Sequence, residues 1–102
     1  MQRGEVWWLE EPSSKRRPAV VLTRQVILDR LSQVTVAAVT TRQRDLPTEV
    51  ALTVEHGMPR SCVVSLDNLH TVFRGFLTER ITTLDDVTMS EVCQALRVAV
   101  AC

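Results

Sequence analysis

Hydrophobic positions along the chain fall first into short β-prone runs and then, towards the C-terminus, into a helical rhythm. Glu5-Val6-Trp7-Trp8-Leu9 is the first run, entered from Gly4, and Glu10 to Lys15, with Pro12, Ser13 and Ser14, reads as the loop behind it. Pro18-Ala19-Val20-Val21-Leu22-Thr23 is continuous, apolar and β-branched, the pattern of a strand covered on both faces, so it is predicted to lie centrally in a sheet. Gln25 to Leu31 carries Val26, Ile27, Arg30 and Leu31 at helical offsets and is predicted as a short connecting helix. Val34 to Thr40 is a further strand. Thr48 to Val54 alternates, with Val50, Leu52 and Val54 on one face, and Cys62 to Leu66 continues the series. Pro47, His56-Gly57 and Pro59 mark the turns between them.

From Leu84 the period changes. Leu84, Val87, Cys93, Leu96 and Val100 recur at three- and four-residue steps, which predicts a helix from about Leu84 to Ala101. Thr83 followed three residues later by Asp86 reads as its capping box, and Asp85 adds negative charge at the positive end of the helix dipole. Short strands followed by one C-terminal helix imply a mainly β (α+β) domain spanning residues 1–102, a small curled antiparallel sheet or barrel closed on one side by the helix.

Composition adds limits. The 102 residues are 45% hydrophobic and 24% charged, which excludes a disordered or low-complexity chain and a multidomain machine. No apolar stretch approaches the roughly 18 residues of a membrane span, and residues 1–10 lack a signal-peptide pattern, so a cytoplasmic protein is expected. Cys62, Cys93 and Cys102 are odd in number and have no C-x-x-C spacing, which speaks for reduced thiols rather than a disulfide framework or zinc knuckle.

Charge changes the picture more. Twelve basic and twelve acidic residues cancel, which at first argues against a polyanion-binding protein. Yet Pro12 to Thr48 holds seven basic residues against Asp29 and Asp45, a net of +5, so the zero is a cancellation between a basic N-terminal half and an acidic remainder. All the basic residues but Lys15 are arginines. Coding bias explains that as readily as a preference for planar, bidentate anion contacts.

No metalloprotease, Walker, dinucleotide or nucleophile-elbow motif occurs, and the three glycines are too scattered to cradle a phosphate. His56, next to Gly57, reads as a solvated turn imidazole. His70, with Asp67 near it, is either a general acid or base or a packing residue. The more informative constellation lies at two strand ends. Lys15-Arg16-Arg17 enters the buried strand, and Pro18 forces Arg17 into extended backbone. Thr40 and Thr41 close the Val34 strand and are followed by Arg42 and Arg44. If the two strands pair, hydroxyls and guanidinium groups converge on a place that suits a phosphate. The competing reading is a basic loop beside β-prone threonines.

The ordered segments Arg3-Gly4-Glu5-Val6-Trp7, Arg17-Pro18-Ala19-Val20-Val21-Leu22, Val36-Ala37-Ala38-Val39-Thr40-Thr41 and Leu46-Pro47-Thr48-Glu49-Val50 resemble the MazF/PemK family of toxin endoribonucleases. The likeness continues through Ser61 to Val72 and the closing helix, and so covers nearly the whole chain. It implies an SH3-like small barrel of the PemK/CcdB type with a C-terminal helix, a homodimer with an RNA groove across its interface, and cleavage of single-stranded RNA with no metal or other cofactor. Carried over by position, the catalytic pair is Arg17 and Thr40. Attack of a ribose 2′-OH on the adjacent phosphate yields a 2′,3′-cyclic phosphate and a 5′-OH. Arg17 would stabilise the charge growing on the phosphate oxygens and share in proton transfer, while Thr40 would position the same oxygens.

As RNA-binding residues the resemblance and the charge pattern together nominate Lys15, Arg16, Thr41, Arg42, Arg44, Glu49, Ser61, Asn68 and His70. Two departures stand out. The family's Gly-Ser-Glu element before the Arg-Pro pair is replaced by the shorter, more basic Glu10 to Arg16 loop, and its Gln-hydrophobic-basic triplet by Asn68-Leu69-His70. His70 is then a pH-dependent phosphate contact or a neutral stacking or packing ring. A MazE-like antitoxin with an acidic, partly disordered C-terminal segment is the implied protein partner, with Trp7 or Trp8 available for dimer or antitoxin contacts. Two alternatives remain: a CcdB-like toxin of the same fold acting on DNA gyrase, whose C-terminal Trp-Gly-Ile is missing from Val100-Ala101-Cys102, and a non-catalytic RNA-binding member.

Overall fold

Apolar alternation resolves into six strands and two helices in a computed structural model that describes all residues from Met1 to Cys102. The strands are β1 (Glu5–Leu9), β2 (Arg17–Val21), β3 (Gln33–Thr40), β4 (Glu49–Leu52), β5 (Cys62–Phe73) and β6 (Leu77–Thr83); the helices are α1 (Gln25–Leu28) and α2 (Asp86–Val100). All pair antiparallel in one sheet of order β4-β5-β3-β2-β1-β6, so the basic strand β2 is interior, as its unbroken apolar run predicts.

Both faces of the sheet are covered because neighbouring residues of β2 enter different cores. Val20 joins Val6, Ala37, Leu52, Val64 and Leu66 beneath Met89, Val92 and Ala95 of α2. Ala19 and Val21 join Leu9, Val34, Val36 and Val72 on the other side, with Leu28 of α1 and partly buried Trp7 and Phe76. A curled sheet that wraps its own second core and rests its first on a C-terminal helix is the small-barrel architecture expected.

Four local expectations are corrected. The strand beginning at Cys62 runs twelve residues, to Phe73, although Asp67 and Asn68 interrupt its apolar run. It continues because its partner β3 shifts register there: Ala38 pairs with Ser65 but Ala37 with Leu69, which leaves Leu66, Asp67 and Asn68 as a bulge. β6 has no signature in the apolar pattern, since Glu79 and Arg80 break the alternation; it is an edge strand paired only with β1. Val54 leaves the strand for a short 3-10 turn and is 64% exposed.

The fourth concerns α2. Its N-cap is Asp85, whose carboxylate accepts from the Thr88 amide at 2.8 Å, and not Thr83. Thr83 is still paired with Glu5, and the Leu84 amide donates to the Gly4 carbonyl, so extended backbone persists one residue too far for a cap at 83. The buried stripe rotates accordingly to Thr88, Met89, Val92 and Ala95, leaving Val87 and Val100 exposed.

Candidate nucleic-acid interface

The β2–β3 register builds the site. Its outermost rung is Ala19 with Ala38, and two residues beyond that rung Arg17 begins β2 and Thr40 ends β3. Beyond that rung the strands open on a cleft of about 760 Å³ lined by Arg17 and Thr40 together. Pro18 forces the extended conformation at the strand entrance, and its ring is the cross-strand neighbour of Trp8.

Of the residues nominated from sequence, Lys15, Arg16, Arg17, Thr40, Thr41, Arg42, Arg44, Glu49 and Asn68 all line this cleft. Asn68 reaches it through the β5 bulge, which is tied down at two points: the buried Thr48 hydroxyl donates to the Asp67 carboxylate at 2.5 Å, and the Leu66 amide to the Thr48 carbonyl at 2.9 Å. Ser61 and His70 do not line it. Ser61 is exposed outside its wall, and His70 lies past the bulge, paired with Val36 in the part of β5 that runs away from the cleft. His56, expected as a solvated imidazole, instead accepts from the Thr53 amide through Nδ1 at 2.9 Å and caps the 3-10 turn.

Two contacts shape the polar floor. Thr40 Oγ1 accepts from the Arg42 amide at 3.1 Å, which occupies one acceptor position and leaves the hydroxyl proton free to be donated. Glu49 Oε1 accepts from the amides of Arg44 at 3.0 Å and Leu46 at 3.4 Å, and so holds the loop that carries Arg42 and Arg44. Lys15, Arg16, Arg17, Arg42, Arg44 and Arg60 face a single carboxylate in the cleft, Glu49, which makes it a concentrated site of positive potential on a chain of zero net charge.

A family model described as PemK-like, MazF-like toxin of type II toxin–antitoxin systems matches residues 2–100. The chain belongs to this family. It is 43% identical over 103 residues to the probable endoribonuclease MazF2 of Mycobacterium tuberculosis, with 100% of both chains covered. The solved structure of Mycobacterium tuberculosis toxin MazF-mt6 matches with a TM-score of 0.87 at 32% identity, over 95% of this chain and 96% of that one. A MazE-MazF crystal structure from Deinococcus radiodurans matches at 0.81 and 26% identity, over 98% and 94%.

Three lining residues of this MazF-like chain have little or no signal in the sequence. Arg60 adds a cation from outside the basic N-terminal half, and only its position beside the Pro59 turn marks it. Cys62 stands out in sequence by its lack of a pairing partner, which says nothing of its place in the cleft wall. Burial pushes its thiol above the ordinary value, against the opposing pull of Arg60. Trp8, expected at apolar contacts, has its ring at the cleft under the Arg16 guanidinium. Trp7 is held differently, its indole N–H donating to Glu5 at 3.0 Å.

Proposed function

We propose that residues 1–102 form the toxin domain of a type II toxin–antitoxin pair, an endoribonuclease that cuts single-stranded RNA by intramolecular attack of a 2′-OH. The products are a 2′,3′-cyclic phosphate and a 5′-OH, and the consequence in the cell is arrest of translation and growth. The observation that carries the reading is Arg17 and Thr40 lining one cationic cleft, in a chain of a family with relatives named as endoribonucleases.

Each group has a task suited to its chemistry. As the 2′-oxygen bonds to phosphorus, negative charge grows on the non-bridging oxygens, and the permanently charged Arg17 meets it with up to two parallel N–H donors. The Thr40 hydroxyl, with the Arg42 amide already donating to its oxygen, hydrogen-bonds one of those oxygens, and the proton lost by the 2′-OH is matched by the one the departing 5′-oxygen takes up as the P–O5′ bond breaks. Lys15, Arg42, Arg44 and Arg60 hold flanking phosphates, and Asn68 offers an amide to a base edge. The chain supplies these steps from its own side chains.

The partners follow from the same field. An antitoxin segment with acidic side chains would compete with RNA for the cleft, and a second copy of the chain would pair two clefts into one groove. No helix is long and apolar enough to cross a membrane, and the site of action is the cytoplasm. The gyrase-directed alternative is not favoured, because the matching family model and relatives are those of MazF-like toxins and endoribonucleases.

Incubating the protein with unstructured RNA in EDTA and mapping the new ends tests this directly. Clusters of 5′-OH ends at a short motif, absent with Arg17→Ala, are expected. RNA that is bound but left intact would instead identify a non-catalytic binding member.

A further inference from the structure

Trp8 and Arg16 form an arrangement that the proposed cleavage does not use. The Arg16 guanidinium carbon sits 3.9 Å above the centroid of the Trp8 ring, which is partly buried in the wall of the cleft. Glu10 lies 3.9 Å from the guanidinium and accepts from the Thr78 hydroxyl of β6, which sets a carboxylate beside the cation. Arg16 is nevertheless about half exposed, at 48%. The side chain thus combines contact with the indole and exposure to solvent. Register places the indole beside Pro18, one residue from Arg17.

We propose that the Trp8–Arg16 pair is a stacking platform that receives an RNA base next to the cleaved phosphate, forming a base–guanidinium–indole sandwich. The assignment rests on the endoribonuclease reading for its ligand, but on separate atoms for its geometry. Unpaired bases are recognised by stacking on aromatic rings and on arginine planes, and an exposed guanidinium already ordered by an indole loses little freedom when a base covers it. Because every base has a π-face, the platform would favour purines over pyrimidines at one position rather than demand a single base.

The test uses the full-length protein and an all-2′-deoxy oligonucleotide, which lacks the attacking hydroxyl, alongside the cleavable RNA of the same sequence. Indole fluorescence is expected to fall on binding the deoxy oligonucleotide, less so when an abasic position is placed beside the expected cut. Trp8→Leu and Arg16→Ala should raise KM about 5- to 100-fold, with the larger effect on KM than on kcat, and flatten the base preference next to the cut. Trp8→Phe, which keeps a ring, should restore most of the loss. Arg16→Lys, which keeps the charge but not the plane, should not. If wild type cleaves while Trp8→Leu shows unaltered KM and end sequences, or if Arg16→Lys equals wild type, the platform is refuted and the cleavage reading stands. If oligonucleotide quenches the indole but no RNA is cut, the platform stands and cleavage falls. Quenching by an acidic peptide alone, with none by oligonucleotide, overturns the platform in favour of a peptide-binding surface.

Discussion

Arg17, the first residue of β2, and Thr40, the last of β3, line one cleft two residues past the last rung between their strands. A guanidinium and a hydroxyl that are far apart in sequence thereby share a rigid frame, since both rise from strands whose inner ends are locked in two cores. Such preorganised donors cost no reorganisation when charge develops between them.

Truncating either should therefore act on rate and not on folding. Arg17→Ala and Thr40→Val are each expected to lower kcat by about 10²–10³-fold, while thermal unfolding stays near wild type because neither side chain is in a core. Thr40→Ser, which retains the proton donor, should recover most of the activity. Single-turnover cleavage with melting curves on the same preparations checks all three.

Glu49 carries the one carboxylate of the cleft, yet its Oε1 is occupied by the amides of Arg44 and Leu46 rather than turned to a substrate. Removing it should release the loop and misplace two cations at once. Glu49→Ala is expected to lower kcat/KM by roughly 10- to 100-fold, and Glu49→Gln, which keeps an amide acceptor, by much less. A simple repulsion between Glu49 and phosphate predicts the opposite sign for both variants.

Arg42 and Arg44 also carry a salt signature. Neutralising either should weaken binding of unrelated single strands alike and reduce the slope of log K against log salt by about 0.7 for each phosphate left without its cation. A salt titration with two oligonucleotides of different sequence separates this from impaired base readout.

Glu5 links stability to acid. It is buried and accepts from the Gln2 amide at 2.7 Å, the Trp7 indole at 3.0 Å and Arg80 at 3.2 Å. Burial alone would raise its pKa, but those donors and the N-terminal charge hold it below the ordinary 4.5. The folded value lies under the unfolded one, so the stabilisation is fully present above about pH 4.5 and is lost as pH falls through the folded value. Glu5→Gln is expected to cost about 1–3 kcal/mol at pH 7 and to flatten the acid limb of stability, measured by denaturant unfolding from pH 7 to 3.

Gly57 has a φ of +93°, and a Cβ there would collide with the Thr82 hydroxyl, which donates to the His56 carbonyl at 2.9 Å. Gly57→Ala should destabilise by about 1–3 kcal/mol through left-handed strain and the broken hydrogen bond. Equilibrium unfolding against Gly75→Ala, where nothing lies within 4 Å, provides the control.

The chain order of β-prone runs, the terminal helix and the two strand ends bearing Arg17 and Thr40 are legible in the sequence because each rests on local causes: apolar period, β-branching and the constraint of Pro18. So is the basic half of the chain, since charge can be counted without coordinates. Tertiary pairing decides the rest. Whether Arg17 shares a cleft with Thr40 depends on a register that no local pattern encodes, and a slip of one residue would turn every side chain of β2 to the other face. The same holds for Asn68, carried into the cleft by a bulge tethered to Thr48, and for His70, close to it in sequence but beyond the shift. Arg60 and Trp8, far apart in sequence, join one cleft wall only through the tertiary fold. Local chemistry chose the side chains, and long-range pairing of strands chose which of them share a cleft.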